Sequence, residues 1–168
     1  MRLLASHVLA PLMLAVKATI AAPVDLAIVA ADGDAVAKPL EWTPPHTVVA
    51  PILDGRLDDP CWSHAAFSPF SGENGDPDVA TEFAVVRDDW GLFVAMRSRE
   101  PDLASLRTTS DRHDGLFEYF HDDDWVEVLV DPGNTGHDYY WFLVNAAGRR
   151  TDLACFADPD RSWNGEWR

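Results

Sequence analysis

Basic residues are scarce in this chain: 13 Lys and Arg stand against 28 Asp and Glu, a formal charge of −15. A surface of that sign repels phosphate backbones, which argues against a nucleic-acid ligand. Neutral sugars, divalent cations or basic protein partners suit the field better, while most of the acids simply solvate the surface. Cysteine is nearly absent, with only Cys61 and Cys155. In an oxidising compartment the two could pair, but their count does not show that they meet, and they read instead as two buried free thiols. No unbroken apolar stretch is long enough to span a bilayer. Past the first 22 residues no helical period is sustained, and no internal repeat is visible. His113, His121 and His137 lack the short spacing of a zinc site, and no residue has the local context of a catalytic motif.

What is present begins with the N-terminus. Met1-Arg2, the apolar run from Val8 to Val16 and the small residues Ala18 to Ala22 have the layout of a secretory signal peptide. That layout predicts a signal peptide over residues 1–21 and a secreted or periplasmic product. A later cut after Ala31 is also open, and a mis-assigned gene beginning is the alternative. Residues 22–46, rich in Ala, Pro, Asp and Gly with Pro44-Pro45 near the end, read as a linker. Residues 47–168, in a chain that is 47% hydrophobic with seven Trp, have room for one core.

Within that domain the hydrophobic pattern has period two. Pro60 opens a short helical turn carrying Trp62, and Gly72, Gly75 and Pro77 mark a loop. Phe83 and Val85 alternate with polar neighbours in Thr81 to Arg87, Asp88-Asp89-Trp90-Gly91 turns the chain, and Leu92 to Arg99 returns as the second arm of a hairpin. After a long polar loop holding Leu116 to Phe120, three more strands follow at 125–130, 139–145 and 151–156, separated by Asp131-Pro132-Gly133-Asn134 and Ala147-Gly148. Short strands with frequent turn signals predict an all-β antiparallel sandwich. Ser162 to Arg168 reads as the start of another strand with nothing after it to pair with, an open edge of a module incomplete at its C-terminal end.

The segment Ile52-Leu53-Asp54-Gly55-Arg56-Leu57-Asp58-Asp59-Pro60-Cys61-Trp62 resembles the opening signature of family 9 carbohydrate-binding modules and of the wider DOMON-like superfamily. The resemblance continues in order through Trp90 to Ala95, Asp124 to Val128, Asp131-Pro132 and Tyr139 to Asn145. It implies a non-catalytic β-sandwich that grips a polysaccharide or oligosaccharide between aromatic side chains, often with structural calcium, beside an exported glycoside hydrolase. Carried over by position, Glu127 and Asn145 contact the sugar, and Phe120 or His121 supplies an aromatic wall. Leu143 stands where those members have a basic residue, and their second aromatic wall lies in a stretch this chain lacks. Binding is therefore expected in the millimolar range.

The residues themselves supply two further candidates. Sugar rings need a flat aromatic face beside polar side chains, and Trp125 or Trp141 can provide it, whereas Trp62 reads as core. The acids Asp122, Asp123, Asp124, Asp131 and Asp138, with Asn134, could give one calcium ion its six to eight oxygens, or form a solvated acidic loop. Some DOMON-like relatives hold haem through a Met and a second ligand. Met96 and His121 are the positions for that alternative, although Met96 at the centre of an apolar strand reads as core.

Overall fold

A computed structural model describes residues 2–6, 12–16, 43–70, 81–100, 102–115 and 122–168. The fold is all-β, built from two antiparallel sheets. One sheet has five strands in the order β1-β6-β7-β8-β9: β1 (Arg2–Ser6), β6 (Trp125–Val130), β7 (Tyr139–Asn145), β8 (Arg150–Phe156) and β9 (Asp158–Asp160). The other has four in the order β2-β5-β4-β3: β2 (Leu12–Val16), β5 (Leu92–Ser98), β4 (Thr81–Arg87) and β3 (Ser68–Phe70). No helix among the described residues is long and apolar enough to cross a membrane.

The period-two pattern decides which residues go inside. Phe83 and Val85 of β4, Leu92, Val94 and Met96 of β5, Val126, Val128 and Val130 of β6, and Phe142 and Val144 of β7 form one buried cluster fed by both sheets. Fully burying an aliphatic side chain contributes about 1.5–3 kcal/mol, so this cluster is the main driving force for the fold. Strand β4 differs from the expected half-buried strand, because its second face is covered too. Ala84 and Val86 pack with Ala95, Cys61 and Trp62 beneath a 3-10 turn at Pro60–His64. Ala84 pairs directly with Ala95, and these two small side chains leave room for the Trp62 indole.

The β4–β5 hairpin closes through Asp88, whose Oδ1 accepts the backbone N–H groups of Trp90 at 2.7 Å and Gly91 at 2.8 Å. Between β7 and β8 the chain reverses at Gly148, whose φ of +75° lies in the left-handed region that suits glycine.

Three segments sit differently from the sequence expectation. Residues 2–6 and 12–16, within the stretch read as a signal peptide, pair with β6 and β5 and stand at the edges of the two sheets. Of the expected linker 22–46, residues 22–42 lie outside the described residues. Its last part is docked: Pro44 is buried, and His46 bridges Arg87 in parallel. The C-terminal stretch, expected as an open strand, instead turns back onto the shared core. Trp167 is buried there, edge-on to Phe142 with ring centroids 5.2 Å apart. The buried Asp152 carboxylate accepts Gly165 N–H at 2.6 Å, and the Arg150 guanidinium donates to the Trp167 carbonyl, so polar contacts hold the indole in place.

Candidate functional site

Alternation along β6, β7 and β8 presents a second set of side chains on the face turned away from the shared core. Register places Trp125 opposite Asn145, Glu127 opposite Leu143, and Leu129 opposite Trp141. The next strand adds Thr151 opposite Leu143, Leu153 opposite Trp141, and Cys155 opposite Tyr139. Glu127, Asn145 and Trp141, all candidates from sequence, therefore share this outer face.

Glu127 is only 3% exposed, and its neighbours Trp125 and Leu143 form a small apolar cluster with Trp141. Among the described residues its carboxylate accepts one hydrogen bond, from the Trp141 indole N–H at 2.7 Å. Burial pushes its pKa up to about 7, and the indole donor only partly offsets that. Near neutrality the group is thus poised between acceptor and donor. Trp141 and Tyr139 alternate on the same face and are half-buried, leaving part of each ring accessible. Tyr139 was not singled out from sequence, although the spacing of Tyr139 and Trp141 was the available signal.

Asn145 has a different place from the one expected. It is fully buried, and its polar capacity is taken up by the protein itself. Its amide donates to Asp123 Oδ2 at 2.9 Å and to the Ser110 carbonyl at 3.3 Å. Its carbonyl accepts Ala147 N–H at 3.0 Å and Arg149 N–H at 2.8 Å. Asn145 therefore ties the β7–β8 turn to the segment around Ser110 and positions the end of β7. Asp123 completes that network by accepting from the Thr109 and Ser110 N–H groups. Burial acts to raise its pKa, but the Asn145, Ser110 and Thr109 donors outweigh burial and hold it below the usual aspartate value.

The acids considered for calcium do not converge. Asp122, Asp123 and Asp124 precede β6, whereas Asp131, Asn134 and Asp138 follow it. The six residues of β6 stand between the two groups, roughly 20 Å of strand at about 3.3 Å per residue. Asp131 accepts Gly136 N–H at 2.6 Å, and Asp138 lies 3.7 Å from the His137 ring nitrogen. Among the described residues no group of three or more His, Cys, Asp or Glu could hold a metal ion. Met96 lies in the shared core. Phe120 and His121 fall outside the described residues, so the expected aromatic wall and second haem ligand fall there too.

The two thiols are free; Cys61 is buried as expected, whereas Cys155 is only half-buried. Cys61 packs under the four-stranded sheet, and Cys155 stands on the outer face of the five-stranded one. Both sheets lie between them. In comparisons with protein-family models, curated proteins and solved structures, none matches the chain.

Proposed function

We propose that the chain is a non-catalytic carbohydrate-binding module of the β-sandwich type, exported through its apolar N-terminal segment, that takes a neutral oligosaccharide on the outer face of the five-stranded sheet. The observation that carries the reading is the Glu127 carboxyl hydrogen-bonded to the half-buried Trp141 indole, with Tyr139 beside it on the same face. An aromatic ring offers a flat surface to the C–H face of a pyranose, and a buried carboxyl beside it can accept from, or donate to, the hydroxyl rim. The family resemblance, which puts a sugar-contacting Glu at position 127, supports the same assignment. In this reading Glu127 and Trp141 contact the sugar, and Asn145 holds the strand end that presents them. An acidic surface favours neutral glycans over polyanionic ones. The natural setting is beside an exported polysaccharide-degrading enzyme.

Affinity should be millimolar, since one aromatic face and one carboxyl supply only a few kcal/mol. Titration with cello- and xylo-oligosaccharides followed by NMR is expected to shift the Trp141 indole N–H and the Tyr139 ring. Glu127→Ala and Trp141→Ala should abolish those shifts while circular dichroism confirms the fold. No shift at roughly 50 mM sugar, a concentration well above a millimolar Kd, would overturn the reading.

A further inference from the structure

Among the described residues, the most exposed apolar side chains lie away from the Glu127 face. Val48, Val49, Ile52 and Trp90 are 92%, 71%, 66% and 68% exposed. They come from two segments clamped at one end of the four-stranded sheet. His46 bridges Arg87 in parallel, Thr47 N–H donates to the Arg87 carbonyl at 2.7 Å, Arg87 N–H donates to Pro45 at 3.0 Å, and His46 lies 2.9 Å from Asp89. The bridge and the His46–Asp89 contact hold the segment that carries Val48 and Val49 against the base of the hairpin tip that carries Trp90. That tip is built to be stiff, because one Asp88 oxygen holds both Trp90 N–H and Gly91 N–H. A rigid tip presenting a solvent-facing indole loses little entropy when it is covered.

We propose that this patch docks a protein partner through an apolar anchor flanked by Lys or Arg. Charge selects the occupant. Around the patch, Asp54, Asp58, Asp59, Asp88 and Asp89 outnumber Arg56 and Arg87. A second copy of this chain would set those carboxylates against themselves, at a formal charge of −15 per copy. The two longest stretches outside the described residues do not complement the patch: 17–42 has four acids against two lysines, and 71–80 has three acids and no base. The aliphatic residues separate this surface from a sugar platform. Val48, Val49 and Ile52 offer no flat ring for a pyranose, but they bury well against apolar side chains.

The probe is a phage-displayed library of random dodecamer peptides, selected on the full chain and depleted on a Trp90→Ser, Val49→Ser variant. Enriched peptides are expected to carry an aliphatic or aromatic residue beside Lys or Arg, and to shift NMR resonances of residues 46–52 and 88–91. Their affinity should fall at least ten-fold in the depleting variant, whose melting temperature should be unchanged because both sites are exposed. Reversing two carboxylates, with Asp58→Lys and Asp89→Lys, should cause a similar loss and reduce the salt dependence of binding. Enrichment of acidic peptides, or equal binding to the variants, would overturn the proposal. So would sedimentation showing self-association through Trp90, or oligosaccharide binding that Trp90→Ser removes. Glu127→Ala should leave peptide binding intact, which separates failure here from failure of the sugar site.

Discussion

Glu127 sits in an apolar setting that makes its charge expensive, and this has a measurable thermodynamic consequence. Its pKa rises from the ordinary 4.5 to about 7 because burial disfavours the carboxylate more than the Trp141 donor favours it. An acid raised in the folded state holds its proton more tightly there than in the unfolded chain. Its contribution to stability is therefore full below about pH 4.5 and is lost as pH rises to about 7. The gap corresponds to about 3 kcal/mol, an order-of-magnitude figure. Glu127→Gln removes the titration, so urea unfolding of that variant should show a flatter profile between pH 5 and 7.5 than the parent. Asp152, raised by burial against its Gly165 and Trp167 donors, slopes the same way in both proteins and cancels in the comparison. Asp123 and Asp131, held low by their hydrogen bonds despite burial, act with the opposite sign below their ordinary range. Parallel profiles for parent and variant would mean that Glu127 is solvated in solution. Of the residues in this neighbourhood, sequence alternation could assign Glu127 and Trp141 to one face. It could not assign Asn145 its role, because the partners arrive from Asp123 and Ser110, 22 and 35 residues away. The acids grouped as calcium candidates raise a related point, since proximity along the chain does not show the extended strand that lies between the two halves of the group.

At the scale of elements, the strands with two-residue alternation were legible. Thr81–Arg87 and Leu92–Ser98 with Asp88 between them, and Val126, Val128 and Val130 facing Phe142 and Val144, follow directly from the pattern. The N-terminal strands were not, because a short apolar run with a basic start is the same pattern in a leader and in a strand. The translocation machinery reads such a run in the unfolded chain, whereas pairing with β5 and β6 describes the same residues retained. A chain starting at Ala22 would leave β5 and β6 as edges with unpaired backbone groups. That truncation should reduce stability by several kcal/mol, out of the roughly 5–15 kcal/mol typical of a domain. It should also promote association along the bared edges, visible by sedimentation velocity. An unchanged urea midpoint with a monomeric profile would show that β1 and β2 add nothing to the folded chain. The inward turn of the C-terminal stretch was not legible for another reason. A local pattern shows an indole near a terminus, but not that Asp152 and Arg150 of β8 turn it inward.

For the molecule as a whole, the dominant feature is the imbalance of 28 acids against 13 bases, and its consequence is self-repulsion that compactness makes worse. Among the described residues, several of the closest pairs between a carboxylate and a cation lie at the surface. The contacts among described residues include Arg97 with Glu82 at 2.6 Å and His46 with Asp89 at 2.9 Å, both at the surface, where an ion pair contributes at most about 1 kcal/mol. Repulsion summed over the surface should outweigh these pairs, and salt screens it over about 10 Å at 0.1 M. At neutral pH the urea midpoint is therefore expected to rise as NaCl increases from about 0.01 to 0.3 M, with most of the gain below about 0.15 M, where the screening length changes fastest. Near pH 4.5, the isoelectric point, the same titration should be nearly flat because net charge has vanished. The Glu127 effect is distinct, since mobile ions screen a side chain only 3% exposed far less than a surface carboxylate. Glu127→Gln should accordingly shift the whole salt curve at pH 7.5 without changing its slope. A midpoint that falls with salt would reverse the account and show that surface ion pairs outweigh the self-repulsion of the acidic shell.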